Sequence, residues 1–256
     1  RILGKSTQIK TGEYLVTNND SIFSLLDKFS KGEIYYRSVR FKEGSTFSQL
    51  LLMLKQLDGI INDLEGNPDL LIVRETGSKY SSMEGIFSPD TYFYKKGDTA
   101  SSLLVRAYKQ QKKELNSLWK NRMPGLPYKS EEDALTMASI IEKEGVEKKR
   151  IAGVFINRLN AKMRLQSDPT VIFALGKNFD GNIRKKDLRL KHPYNTYMIK
   201  GLPPGPISLV SLESIKAALQ PEITNDYYFV SRGDGTHQFS ATLEQHNKAV
   251  KEYQLK

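Results

Sequence analysis

The chain has 256 residues, 39% of them hydrophobic and 27% charged, a globular balance that excludes collagen-like, coiled-coil and wholly disordered architectures. Thirty-nine Lys and Arg against 29 Asp and Glu leave a net charge of +10, which favours an acidic partner: nucleic acid, an anionic lipid surface or an anionic cell-wall polymer. Cysteine is absent, which excludes disulfide frameworks, thiolate nucleophiles, zinc fingers and iron–sulfur clusters.

No apolar run approaches the roughly 20 residues of a membrane helix; the best, residues 50–54, stops at Lys55. The chain starts at Arg1 without a charged leader or apolar signal core, so it reads as a trimmed, soluble segment from which an anchor or address could have been removed. Its length suits one large domain or two modest ones. Tyr14, Leu15 and Val16 read as a short strand. Asp20 or Ser21 then caps a helix carrying Ile22, Phe23, Leu25, Leu26 and Phe29, which closes at Lys31-Gly32. Residues 34–41 read as a second strand, Glu43-Gly44 as a turn, and Ser45 or Thr46 as the cap of a helix through Leu57. Residues 62–68 are turn-rich and 77–82 small and polar, placing a boundary near residue 82 between domains 1–82 and 83–256.

The second part opens with Gly85-Ile86-Phe87-Ser88-Pro89-Asp90 and a predicted helix over residues 101–120. Its basic face, with Arg106, Lys109, Lys112 and Lys113, reads as a solvated surface, because no aromatic platform for stacking bases is interleaved with it. Residues 123–127 form a loop, and Ser130-Glu131-Glu132-Asp133 starts a helix that runs toward Gly145. On a helical wheel Ala134, Met137, Ala138 and Ile141 share an apolar face, and Glu142 and Glu144 fall on its opposite shoulders. Periodicity does not separate the two glutamates. Glu-Lys-Glu also reads as an ordinary charged helix end, but position favours Glu144: it precedes the stop at Gly145, where unpaired carbonyls make the helix end negative, and an apolar wall adds to the effect. Both would raise its pKa and hold it protonated near neutral pH, as a general acid requires.

A second helix carries Ile151, Val154, Phe155 and Leu159, with Arg158 at its edge, and should pack antiparallel to the first. Residues 163–170 form a polar turn and 171–175 a short apolar helix. His192-Pro193-Tyr194-Asn195-Thr196-Tyr197 leads into Gly201-Leu202-Pro203-Pro204-Gly205-Pro206-Ile207, an ordered extended loop suited to one wall of a cleft. A hairpin over 227–231 and 236–240, around Gly233-Asp234-Gly235, precedes a helix from Thr242. There is no Walker loop, dinucleotide-binding glycine pattern, HExxH or GxSxG, and His192, His237 and His246 lack metal-ligand spacing. No metal or cofactor is expected.

Several blocks together resemble the YceG-like family of endolytic murein transglycosylases: Ala138-Ser139-Ile140-Ile141-Glu142-Lys143-Glu144, Val154-Phe155-Ile156-Asn157-Arg158-Leu159, Met163-Arg164-Leu165-Gln166-Ser167-Asp168-Pro169-Thr170, Tyr194-Asn195-Thr196-Tyr197, Gly201-Leu202-Pro203-Pro204-Gly205 and the block opening at Gly85. The resemblance implies an α+β protein, with a small LysM-like α/β N-terminal subdomain over 1–82 and a larger mixed α+β catalytic domain over 83–256. It implies cleavage of the MurNAc–GlcNAc bond within peptidoglycan strands, leaving a 1,6-anhydro-MurNAc end and limiting nascent strand length. The catalytic role falls on Glu144, which agrees with the helix-end argument. Glu142, Gln166, Asp168, Tyr194, Asn195 and Tyr197 become candidate substrate-binding residues. The amides of Gln166 and Asn195 could hold N-acetyl and hydroxyl groups, and either tyrosine could stack on a sugar face. The resemblance further implies a single anchor in the bacterial inner membrane before Arg1, a catalytic part outside that membrane, and peptidoglycan synthases as neighbours. The alternatives are a muramidase hydrolysing the same bond, with Asp168 as second carboxylate, a catalytically silent wall-binding scaffold, or a nucleic-acid binder.

Overall fold

The computed structural model describes residues 9–80 and 82–254. Residues 1–8 of the expected N-terminal subdomain, and Ser81 in the expected boundary stretch, lie outside the described residues.

The chain is α+β, as the resemblance implies. The first helix, α1 (Ile22–Lys31), starts at Ser21, whose side chain accepts from the Ser24 amide, and ends at Gly32 in the left-handed conformation. It buries no residue fully; Ile22 and Phe23 are exposed. Tyr14, Leu15 and Val16 are not a strand. Among the described residues no neighbouring strand pairs with their backbone, and Leu15 and Val16 stay in solvent. Strand β1 is shorter than expected, Arg37–Arg40, because its ladder with the later strand Thr91–Tyr94 covers only that part. The helix α2 (Phe47–Lys55) has Thr46 and Gln49 as a reciprocal capping box and stops short of Leu57.

Sequence patterning missed α3 (Pro68–Thr76). It hides behind the turn-rich stretch, yet that stretch supplies its start: Asn67 accepts from the Leu70 amide and Pro68 occupies the first turn. The early order is therefore helix, strand, helix, helix rather than strand–helix–strand–helix. Strand β2 (Thr91–Tyr94) pairs antiparallel with β1, Arg37 opposite Tyr94. This pairing and one continuous apolar core both cross the position near residue 82.

The rest is mainly helical. In α4 (Ala100–Lys120), Arg106 of the basic face donates to the Phe93 carbonyl of β2 at 2.8 Å. The helix α5 (Glu131–Glu144) buries every residue from 134 to 141. A helix buried all round belongs at the centre of a core, and α5 packs against α4, against α6 (Lys148–Asn160) and against α8 (Leu212–Leu219). Between α6 and α8 lies α7 (Asp168–Leu175). The chain closes with an antiparallel hairpin of β3 (Tyr228–Ser231) and β4 (His237–Ser240), then α9 (Leu243–Tyr253) under a Thr242–Gln245 capping box.

The glycine- and proline-rich loop after residue 201 is a strap across this core. Ile207 N donates to Ser139 Oγ at 2.9 Å in the middle of α5, and Leu209 exchanges backbone bonds with Gly44 and Ser45 at 2.9 and 2.7 Å. Gly85 has φ +74°, and a Cβ there would lie 2.4 Å from Pro206 Cβ, so the Gly85 block and the strap meet at contact distance.

Gly153 in α6 is also tightly confined: a Cβ would sit 2.4 Å from the Glu222 carbonyl oxygen. Gly153→Ala should therefore destabilise the fold by about 1–3 kcal/mol, read as a lowered Tm of about 2–4 °C per kcal/mol.

Candidate active site

The last residue of α5, Glu144, opens into a cleft of about 550 Å³ walled by α6, the residues before α7, the β3–β4 hairpin and α9. That size lies in the range of small-ligand sites. Ser167 Oγ donates to Glu144 Oε1 at 2.5 Å. Burial pushes the Glu144 carboxyl up to about 7. The Ser167 hydroxyl and the Arg158 guanidinium oppose that rise, and the Asp168 carboxylate adds to it. Desolvation is thus the dominant cause, ahead of anything owed to the helix terminus.

The Ser167 hydroxyl is aimed by a buried network. Gln166 adopts φ +52°, a left-handed conformation uncommon for a residue with a side chain, and its amide donates to the Thr196 carbonyl at 3.2 Å. Ser167 N then donates to Thr196 Oγ1 at 3.0 Å, and Thr170 Oγ1 donates to the Ser167 carbonyl at 2.6 Å and lies 2.9 Å from Thr196 Oγ1. Ser167, Thr170 and Thr196 are all buried. Arg158 is only 7% exposed and bonds to main-chain carbonyls rather than to a carboxylate: Nε to Tyr227 at 2.6 Å and Nη1 to Leu165 at 2.7 Å. A fixed, buried cation therefore stands near Glu144 without forming a salt bridge to it. Burial lowers the Arg158 pKa.

Of the residues singled out in the sequence, the fold brings four into this cleft: Glu144, Gln166, Asp168 and Tyr197. Tyr197 Oη donates to Asp168 Oδ1 at 2.6 Å, and burial, then Asp168, raises the Tyr197 pKa. Three lie elsewhere. The amide of Asn195, fully buried, donates to the carbonyls of Leu190 and Leu188 at 2.8 and 3.2 Å, and its Oδ1 accepts from Tyr197 N at 2.9 Å. All of its bonds hold the loop that carries Thr196 and Tyr197. The ring of Tyr194 packs on Phe173, with centroids 4.8 Å apart, and its hydroxyl meets the strap at Gly205.

Glu142 turns away from the cleft to the start of α8. It accepts from Ser211 N and Oγ at 3.0 and 2.5 Å, from Ser214 Oγ at 2.6 Å and from Lys148 Nζ at 2.9 Å. Burial would raise its pKa, but these hydroxyls and the ammonium outweigh burial and hold it below the usual value. Two glutamates two positions apart thus have opposite environments: one anionic and fully partnered, the other inclined to keep its proton. Sequence reasoning assigned no role to Ser167 and placed Arg158 only at a helix edge, since the contacts that define them join segments distant in the chain.

Against known proteins, the YceG-like family profile matches residues 1–252. The chain belongs to the YceG-like family. An endolytic murein transglycosylase of Bacillus subtilis is 41% identical over 67% of this chain and 48% of its own length. One from Streptococcus pneumoniae is 29% identical over 96% of this chain and 51% of its own. The chain thus spans about half the length of these relatives. The crystal structure of a YceG-like protein from Listeria monocytogenes is similar at a TM-score of 0.64 and 31% identity, covering 95% of this chain and 86% of that one. Among the described residues, no helix of this YceG-like chain is long and apolar enough to cross a membrane.

The raised Glu144 pKa has a consequence for stability. A folded carboxyl titrating near 7 instead of 4.5 favours the fold fully below about pH 4.5, and that advantage is lost as pH rises through about 7. Glu144→Gln should therefore be more stable than the parent at pH 8, by about 3 kcal/mol, with the difference vanishing below pH 4.5 in denaturant titrations. Glu142→Ala should instead lower stability at neutral pH by about 2–4 kcal/mol, because it strands Lys148 and two serine hydroxyls.

Proposed function

We propose that this chain is an endolytic peptidoglycan lytic transglycosylase that cleaves the MurNAc–GlcNAc β-1,4 bond within glycan strands and leaves a 1,6-anhydro-MurNAc end. The observation that carries the reading is a single carboxyl, Glu144, biased toward its protonated form on the wall of an open cleft and oriented by Ser167. The names of the relatives support the substrate and the reaction class.

One carboxyl group suffices for this chemistry. Protonated Glu144 gives its proton to the glycosidic oxygen as the bond to the anomeric carbon breaks. The muramoyl 6-hydroxyl attacks that carbon, and the Glu144 carboxylate takes the hydroxyl proton. No water is consumed, and the enzyme returns to its starting protonation state. Arg158, held by carbonyls near Glu144, steadies the carboxylate formed midway. A pKa near 7 suits a group that must donate one proton and then accept another.

A muramidase reading draws on Asp168, a second carboxylate in the same cleft. Its bond to Tyr197 and its place in the first turn of α7 favour a positioning role. In a cell the reaction would limit the length of nascent strands beside peptidoglycan synthases, with the catalytic part outside an inner membrane to which the whole protein is anchored.

Mass spectrometry of fragments released from purified peptidoglycan tests the reading. Anhydro-muramoyl ends internal to the strands, absent with Glu144→Gln and reduced but present with Asp168→Asn, are expected. Reducing ends would make the chain a hydrolase, and no new ends would leave a binding scaffold. Because Glu144 must start protonated, kcat/KM should hold level below about pH 7 and fall about tenfold per unit above it.

A further inference from the structure

His237, at the start of β4, is fixed on four sides. Its Nδ1 lies 3.0 Å from Glu147 Oε2, and its own main-chain N–H donates to that same oxygen at 2.7 Å. Phe229 and Phe239 meet the imidazole edge-on, with centroids 5.4 and 6.0 Å away. On the remaining side the ring lies against Gly145, where a Cβ would come within 2.7 Å of His237 Cε1. The residue following Glu144 therefore has to lack a side chain for the imidazole to stand where it does.

The side chain is 9% exposed, and His237 is one of the residues lining the Glu144 cleft. Among the described residues no protein group bonds its Nε2. A carboxylate can only accept, so Glu147 places the ring proton on Nδ1 and leaves Nε2 of the neutral ring as an acceptor. Glu147 in turn precedes α6, two residues beyond Gly145. One short stretch of chain thus carries the proposed acid and the group that selects the imidazole tautomer beside it.

We propose that His237 is a glycan-contacting residue of this cleft, its Nε2 accepting a hydrogen bond from an amide N–H or hydroxyl of the sugar bound against Glu144. The proposal rests on the glycan reading above and adds a residue and a direction of hydrogen bonding to it. A ring already immobilised by Glu147, two phenylalanines and Gly145 loses little freedom on binding, which is the condition under which one hydrogen bond contributes appreciable affinity. The N-acetylated sugars of peptidoglycan offer both kinds of donor. The acceptor complements the other polar groups of the cleft: Gln166 presents an amide, and Tyr197 is already engaged with Asp168.

The test uses the cleavage-deficient Glu144→Gln chain and peptide-free glycan strands. Two substitutions divide the imidazole. His237→Asn keeps a donor near the Nδ1 position for Glu147 but removes the group at Nε2; His237→Gln reaches the Nε2 position and gives up the bond to Glu147. The expected result is a Kd raised about tenfold by His237→Asn at unchanged Tm, and raised less than threefold by His237→Gln. The reverse order, or parental affinity in both, would overturn the proposal and leave His237 as a strap between β4 and α6. A measurement without substitution at His237 guards against misfolding. The chain has only three histidines, so ¹⁵N-histidine spectra resolve the ring nitrogens, and saturating strands should shift the His237 Nε2 resonance from its free-acceptor position. An unmoved resonance with strands bound sinks the contact alone, whereas absence of strand binding by the Glu144→Gln chain sinks the glycan reading and the contact with it.

Discussion

A carboxyl group withdrawn from water at the end of a buried helix is the constraint around which this chain is arranged. The eight residues before Glu142 in α5 are wholly buried, so the helix delivers Glu144 to the boundary between core and cleft. There the unfavourable desolvation of an anion outweighs the Ser167 hydroxyl and the Arg158 cation, and the group titrates near neutrality. A direct salt bridge to Arg158 would have pulled the pKa the other way. Instead the guanidinium is consumed by the carbonyls of Tyr227 and Leu165, close enough to be felt and too committed to neutralise the acid.

Keeping one glutamate protonated requires the core to deal with the charge of the other. Glu142 leaves the same helix end toward α8, where three serine bonds and Lys148 satisfy it completely. That cluster also anchors the start of α8, a principal packing partner of α5, so the anionic residue organises the scaffold in which the neutral one operates. The strap through Ile207 and Leu209 works alongside it. Its bond to Ser139 lies one turn before Glu142, and its contact with Gly85 brings the first motif block against the same core.

Much of this architecture was legible in the sequence, and the failures have physical causes. Caps read at Asp20 or Ser21, at Ser45 or Thr46 and at Ser130 located three helices, which start at Ser21, Thr46 and Ser130, because capping is a local bond between a side chain and an amide a few residues on. The strand expected at Tyr14 did not form, since strand pairing depends on a partner that no local pattern reveals. The helix α3 was missed because its cap, Asn67, and Pro68 carry the same residue types as a turn. Among site residues, chemistry alone could not tell Asn195 from Gln166: both are amides, but one spends its bonds on its own loop and the other faces the cleft.

The sequence by itself determined most of the helical punctuation and the family blocks, because capping and apolar periodicity are properties of neighbouring residues. Only the tertiary structure decided which blocks meet. Ser167 reaches Glu144 across 23 positions, Thr196 steadies Ser167 across 29, and His237 finds Glu147 across 90. Such contacts arise from the packing of whole elements, and the pKa of the central carboxyl follows from the water that this packing excludes.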